Sequence, residues 1–488
     1  MKQPTGIMKP LGSLLFFLFI GVQLNAQTKQ WTLQECVAYA LENNISVKQS
    51  QLDTEEADIE KLTAIGNFLP TINLGGSVSQ STGLSFNPIT NNAQTTTFLS
   101  GTGNITVGYT LFDGLRNVRQ AQRAEISQLA SQYRLDKMKD DIALLVANTY
   151  LQVLLNKANL KALQSQNEVT QAQIDRTTQL VDAGVLPRGD LLEIQATNAL
   201  DNQNIAVSEN AVQISLISLA QLLLIKDYEN FDIAEDDYEI ISEEILDNSV
   251  SKIINNAKET RSEVKIAESN VSLAEKDIQI AKGAYLPTLS AFFGYDTRYS
   301  DASSFIQNLD QDNPFTIEEI GVVQETGQTV VGQVPNTISQ EVGADPLFDQ
   351  IYQNDGIGYG LRLSIPVLNG FQTKASVKRS KINLERSKFQ LEQAELDLES
   401  NVYQAYVDAK GALKTYEAAK AALDSQELAY QYATDRYDVG LTNAFDFSQS
   451  KLRFDNATIE LNRAKYDYIF KLKVLELYFG ISATDLKF

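Results

Sequence analysis

The chain has 488 residues, with 62 acidic and 41 basic side chains, a net charge of −21, no histidine and one cysteine. This acidic balance argues against a nucleic-acid partner, which needs a basic footprint. Without histidine the commonest acid–base group and metal ligand are missing, and one cysteine allows no internal disulfide or thiolate cluster. No nucleophile–base set, phosphate-binding glycine loop or metal cluster is visible, so the reading is not an enzyme, with no cofactor and no metal.

Residues 1–26 read as a secretory leader. Lys2 and Lys9 supply the basic part, Leu11 to Val22 the apolar part, and Leu24-Asn25-Ala26 the cleavage site. The apolar run is short for a bilayer-spanning helix, and no later segment is expected to be apolar enough to cross one. Cys36 lies well past this run and is read as a small buried residue on a helix.

A first repeat is assigned to 27–225. A helix is predicted over 32–66, opened by a capping box from Thr32 to Glu35. Leu69-Pro70 ends it. Strands follow at about 71–80 and 104–112: Ile72, Leu74 and Val78 oppose Asn73, Ser77 and Ser79, and Ile105, Val107, Tyr109 and Leu111 oppose Asn104, Thr106, Gly108 and Thr110. Leu111-Phe112-Asp113-Gly114 then leads into a long helix over 115–182, and another helix is predicted over 190–225. Residues 226–249 read as an irregular, solvated acidic connector halfway down the helices, an equatorial position; 227–247 alone hold ten acidic residues.

The second repeat, 250–488, predicts helices over 250–285, 371–436 and 446–481 and strands at about 288–298 and 357–367, with a long polar loop over 300–355. Gly114 and Gly370 are 256 positions apart, as are Tyr150 and Tyr406, Gly184 and Gly440, and Asp190 and Asp446. A constant offset over that stretch means two copies of one unit. In the second long helix Val377, Leu384, Leu391, Leu398 and Ala405 recur every seven residues, a coiled-coil spacing.

The strands have membrane-spanning length and a small, polar opposing face, as in a water-filled barrel. Four strands cannot stand alone in lipid, because the sheet edges carry unpaired backbone groups, and barrels start at about eight strands. The chain must therefore assemble into a closed barrel surrounded by outer membrane lipid. Hairpins enter and leave from one side, so the helices share that side, and a long helix of about 68 residues reaches about 100 Å into the periplasm. Two rival readings are a diffusion porin, which needs no long helices, and a structural coiled-coil envelope protein, which needs no alternating strands.

The duplicated unit, the two Leu-Pro starts and above all the turns Val181-Asp182-Ala183-Gly184-Val185-Leu186-Pro187-Arg188-Gly189-Asp190 and Tyr437-Asp438-Val439-Gly440-Leu441-Thr442-Asn443-Ala444-Phe445-Asp446 resemble the TolC-like outer membrane efflux proteins. The resemblance implies a mainly helical chain with membrane strands, a homotrimer with a twelve-stranded β-barrel, and a periplasmic α-helical barrel continuing it. It implies an exit duct of a tripartite export complex, docked to a periplasmic adapter (a membrane fusion protein) and an inner-membrane transporter of the RND, ABC or MFS type. Gly184 and Gly440 are read as left-handed helix ends, with Asp190 and Asp446 as caps of the next helices. In the family such turns face the adapter, which assigns docking to Gly184, Val185, Leu186, Gly440, Leu441 and Thr442. Asp446 and Gln449 match positions that narrow the lumen, Tyr437 and Asp190 match latch residues, and Arg188 could replace the family's latch arginine, which is Thr442 here.

Overall fold

The computed structural model describes residues 29–235 and 244–481; the expected leader lies outside them, as does 236–243 of the expected connector. In chain order the elements are β1 (Gln30–Trp31), α1 (Leu33–Asn43), α2 (Ile45–Gly66), β2 (Thr71–Asn87), β3 (Asn92–Phe112), α3 (Arg116–Asp182), α4 (Arg188–Leu222), β4 (Asp232–Ile233), α5 (Val250–Thr260), α6 (Ser262–Gly283), β5 (Thr288–Ser300), β6 (Ser304–Leu309), β7 (Phe315–Val322), β8 (Thr329–Pro335), β9 (Thr337–Val342), α7 (Leu347–Gln353), β10 (Gly356–Ser364), α8 (Gln372–Asp438) and α9 (Ala444–Phe479). They form two compact units. Among the described residues, one draws on 29–48, 138–235, 244–259 and 399–481, the other on 49–137 and 260–398.

The first unit is helical. Thr32 and Glu35 form the capping box at α1, with Glu35 N–H donating to Thr32 Oγ1 at 3.3 Å and Thr32 N–H to Glu35 Oε2 at 3.1 Å. Cys36 is fully buried, and burial pushes its thiol up to about 12, so it is an inert core group. The connector is less solvated than expected. Phe231, Ile233 and Ile245 are buried, and β4 pairs parallel with β1. The Tyr150 hydroxyl sits 3.1 Å from the Trp31 carbonyl and 3.0 Å from that of Ala234, holding this stitch. Tyr406, its counterpart 256 positions on, donates to the Leu246 carbonyl at 3.4 Å. Net acidity hid these apolar anchors. α4 also corrects an expectation: it contains one window apolar enough, by composition, to cross a membrane. Part of that apolarity is core, since Val212, Leu216, Leu219 and Ala220 are buried.

Two helices expected to be continuous are broken. Asn44 ends α1 with extended backbone, its side chain accepting from Ser46 N–H at 2.8 Å. Arg261 separates α5 from α6 in the same conformation. Asn44 and Arg261 are 217 positions apart, the offset that also relates Leu69 to Leu286, so both copies are interrupted at one equivalent point. Apolar periodicity runs through both breaks, which is why it does not reveal them.

The second unit is built on an antiparallel four-stranded sheet in the order β10-β5-β3-β2. β2 and β3 run further than expected and pair from Thr71↔Gly108 to Asn87↔Asn92, because Thr82, Leu84 and Phe86 continue the alternation. One face carries Ile72, Leu74, Val78, Ile357, Tyr359, Leu361 and Leu363, each more than 60% exposed. The opposite face is polar, with hydroxyl pairs Ser77–Thr102 at 2.8 Å and Ser79–Ser100 at 2.9 Å. An apolar face without a partner layer and a polar face behind it is the pattern of a membrane barrel wall. Residues 300–355 correct the single-loop expectation: β6 pairs with β9, β7 with β8, and α7 packs back on the sheet. Glutamine, asparagine and threonine between the apolar positions had masked this alternation.

The heptad series of α8 turns inward, with Leu398 buried. A second series, Ile382, Phe389, Leu396 and Tyr403, also repeats every seven residues and is 54–67% exposed. On α2, Leu52 and Ile59 are likewise 61% and 63% exposed. These helices adjoin the two sheet edges in sequence: α2 leads into β2, and β10 leads into α8.

At the start of α3, Gly114 has φ +76°, and a Cβ there would lie 2.3 Å from the Gly283 carbonyl oxygen. Its counterpart Gly370 has φ +59° and open space around it. A left-handed L-residue costs roughly 1–2 kcal/mol. Gly370→Ala should show that strain alone, and Gly114→Ala a clearly larger loss of thermal stability, read by far-UV circular dichroism of the purified protein. Equal losses would remove the close-contact argument.

Candidate functional site

The two helix–helix turns share one backbone. Gly184 and Gly440 have φ +72° and +74°. Gly184 N–H donates to the Val181 carbonyl at 2.9 Å and Val185 N–H to that of Leu180 at 2.8 Å; Gly440 N–H donates to Tyr437 at 3.0 Å and Leu441 N–H to Arg436 at 2.8 Å. This paired ending satisfies the last carbonyls of α3 and α8 and needs a left-handed residue, which glycine supplies without strain. A Cβ on either glycine would meet nothing within 4 Å. Val185 and Leu441 are 63% and 69% exposed, Leu186 packs partly into the core, and Thr442 is half-buried.

The expected caps are corrected. Pro187 precedes α4 and provides no side-chain cap, whereas Asn443 caps α9 by accepting from Asp446 N–H at 2.8 Å. Asp190 and Asp446 are instead the third residues of their helices, where a carboxylate complements the helix N-terminus. The cap position lies three residues before each aspartate, and Pro187 and Asn443 fill it. Thr442 Oγ1 donates to Asp446 Oδ2 at 3.3 Å. Asp446 and Gln449 are exposed.

Tyr437 is fully buried with Ile194, Ala444 and Phe447, against Ile174, Leu186 and Tyr430. Its ring stacks on Phe447 at 5.1 Å, and Tyr430 stacks on Phe454 at 5.3 Å. The Tyr437 hydroxyl pairs with Thr177 Oγ1 at 3.2 Å, 260 positions away. Burial pushes its phenol above the usual range; the Thr177 hydrogen bond opposes that and nearby Asp190 adds to it. Asp190 thus acts on Tyr437 by charge, and among the described residues the hydroxyl's hydrogen-bond partner is Thr177. Arg188 is exposed, and the structure does not bring it to this cluster. Arg176 pairs with Asp438 at 2.9 Å instead, because a residue on the last turns of α3 faces α8 whereas the first residue of α4 points past it.

Sequence reasoning also missed a buried charge cluster. Lys451, 1% exposed, lies 3.0 Å from Asp201 Oδ2 and 2.8 Å from Asp455 Oδ2. Thr170 Oγ1 donates to Asp201 at 2.6 Å, tying α3, α4 and α9 together. Burial raises the Asp455 carboxyl above its usual range against the lowering effect of Lys451, and Asp455 Oδ1 has no hydrogen-bond partner. A cavity of about 430 Å³ adjoins the cluster, lined by Leu163, Glu193, Leu200, Phe445, Gln449 and Ile459 among others. A lysine four residues before an aspartate on an apolar helix face was the available signal. Among the described residues no His, Cys, Asp and Glu group could hold a metal.

The family model described as outer membrane efflux protein matches residues 37–223 and 253–480. The chain belongs to that family. No curated protein matches it significantly. Among solved structures, it is similar to the Campylobacter jejuni CmeC outer membrane channel, with a TM-score of 0.71, 16% identity, and coverage of 92% of this chain and 85% of that one. The outer membrane protein VceC from Vibrio cholerae gives 0.69 at 14% identity, covering 92% and 96%. The open state of the Neisseria gonorrhoeae MtrE outer membrane channel gives 0.66 at 16%, covering 92% and 88%. The fold is therefore that of an outer membrane efflux channel, with two repeats of a strand pair and long helices.

Removing one partner of a buried charge network leaves the others uncompensated, at a cost of about 3–5 kcal/mol. Lys451→Met should therefore lower the unfolding temperature markedly at about pH 8 and less at about pH 5. A carboxyl whose folded pKa is raised takes up its proton more readily when folded, so stability returns as pH falls through that raised value. The triple change Lys451→Met, Asp201→Asn and Asp455→Asn should recover most of the loss. A pH-independent deficit would contradict the uncompensated-carboxylate account.

Proposed function

We propose that this efflux channel is the passive exit duct of a tripartite export complex. Three copies close the barrel in the outer membrane of a Sec-exporting Gram-negative cell and stand the helical tube in the periplasm. A periplasmic adapter meets the Gly184 and Gly440 turns and couples them to an inner-membrane transporter of the RND, ABC or MFS type. The carrying observation is that two turns 256 positions apart keep one glycine-ended backbone and leave their apolar tips, Val185 and Leu441, in solvent. Helix ending alone requires neither these exposed tips nor the open space beside the glycines. Homotrimer formation is supported by the exposed seven-residue series on α8 and by the exposed Leu52 and Ile59, seven residues apart on α2. A diffusion porin would need neither the long helices nor the paired turns.

Substitution separates docking from folding. Asparagine tolerates the left-handed region, so Gly184→Asn and Gly440→Asn should retain export. Gly184→Trp and Gly440→Trp have room in the free chain but should block the partner's approach, abolishing export with trimer yield maintained. Export that survives both tryptophan changes would remove the docking role.

Three exposed Asp446 carboxylates would ring the lumen near Gln449, favouring cations and binding multivalent ones. Asn443 remains the helix cap in Asp446→Asn, so folding should be preserved while multivalent block and cation preference weaken in planar bilayers. Unchanged block and selectivity would leave Asp446 with its helix-terminal role alone. Tyr437→Phe, which deletes the Thr177 bond, together with Asp190→Asn should raise the conducting fraction of single channels. No change in that fraction would remove the latch role of Tyr437 and Asp190.

A further inference from the structure

α7, the short helix inside the 300–355 insertion, lies on the apolar face of the sheet. Its attachment is specific. Gln350, 8% exposed, donates to the Ser300 carbonyl at 2.8 Å and accepts from Ser300 N–H at 2.9 Å. Thr297 Oγ1 donates to the Ile351 carbonyl at 2.8 Å, and Asn354 Nδ2 to that of Arg298 at 3.0 Å. Leu347 and Ile351, one turn apart, border an apolar slot of about 410 Å³ with Val78, Leu99 and Tyr299.

Register fixes which face this is. Gly76, Gly103 and Thr297 form one cross-strand row, and Val78, Gly101 and Tyr299 the next outward row; both point the same way as Leu74, Ile105, Tyr295 and Ile357. The glycines form a notch in the otherwise bulky apolar face, and α7 sits at that notch. From Leu289 to Tyr299 the strand advances ten residues, about 33 Å along its axis and about 25 Å in height at barrel tilt, the height of a barrel's apolar band. Just beyond that level the apolar face is interrupted by Thr82 and Thr97, which share a hydroxyl hydrogen bond at 2.8 Å, before Leu84 and Phe86 resume it toward the hairpin tip. α7 therefore lies at the outer rim of the band. Its other stripe, Phe348 and Tyr352, also one turn apart, is 71% and 76% exposed.

We propose that α7 is an interfacial foot seated in the outer leaflet, with Phe348 and Tyr352 inserted among lipid acyl chains just below the headgroups. Aromatic side chains favour that depth, where an apolar ring and a polar edge are both accommodated. A second copy is not the occupant, because copies join through the strand edges in the plane of the sheet and leave this face free. The slot under α7 is lined mainly by apolar surface, and it opens on the same side as the lipid-facing side chains. Asp349, between the two aromatics, remains in water.

The inference rests on the barrel reading, and the test separates the two. Trp31 is the chain's one tryptophan, so W31F gives a dark background for F348W, Y352W and Y359W, each at an exposed site. Trimers are reconstituted in phosphatidylcholine vesicles carrying nitroxide quenchers near the headgroup or deep in the acyl chain. F348W and Y352W should lose more emission to the shallow quencher, and Y359W more to the deep one. Quenching of Y359W with no quenching of F348W or Y352W overturns the foot while leaving the barrel intact. No quenching at any of the three sites removes the barrel reading and the foot with it.

Discussion

Unpaired strand edges set the terms for this molecule. In hydrocarbon an unsatisfied backbone N–H or C=O costs several kcal/mol, and the sheet ends in two such rows, on β10 and β2. One chain cannot satisfy them. Closure by further copies follows, and other features agree with it. The outward face is aliphatic and aromatic because it meets lipid, and the inward face is hydroxyl-rich because it lines water. The helices joined to those edges carry apolar stripes that the single chain leaves bare. Solvation of the backbone, rather than any side-chain contact, is what makes closure by further copies necessary.

Duplication explains the paired turns, and divergence explains what lies beneath them. The backbone hydrogen bonds at Gly184 and Gly440 superpose in pattern, yet the core between the helices draws its bulk from the second copy. Tyr430, Tyr437 and Phe447 stand where the first copy has Ile174, Val181 and Leu191. Large rings from one copy against branched aliphatics from the other fill one core without crowding. The polar ties are equally one-sided: Thr177 reaches Tyr437, and Lys451 sits between Asp201 and Asp455. The hairpins are thus held by a few directional contacts over a small aromatic cluster.

The large elements were legible in the sequence because their periods are strong. Alternation at Ile72-Leu74 and Ile105-Val107 marked strands, seven-residue spacing marked α8, and glycine at 184 and 440 marked left-handed helix ends. Local chemistry was less legible. Asp446 looked like a cap, but Asn443 lies three residues earlier and is as good an acceptor, and spacing alone cannot rank the two. Asn44 and Arg261 break helices whose apolar pattern continues unbroken. Lys451 and Asp201 meet through packing between residues 250 positions apart, which no local pattern encodes. Arg188 is adjacent to the latch in sequence only.

The exposed stripe of Ile382, Phe389, Leu396 and Tyr403 has a kinetic meaning. A helix whose second apolar seam is uncovered in the single chain has not finished folding when that chain has formed its internal contacts. Completion is then a collision between chains, and its rate depends on protomer concentration, as does the stability of the product. At low abundance the half-finished protomer persists with sticky seams and open strand edges exposed, the state from which aggregation starts. Synthesis rate thus sets how long each molecule spends in its most hazardous form.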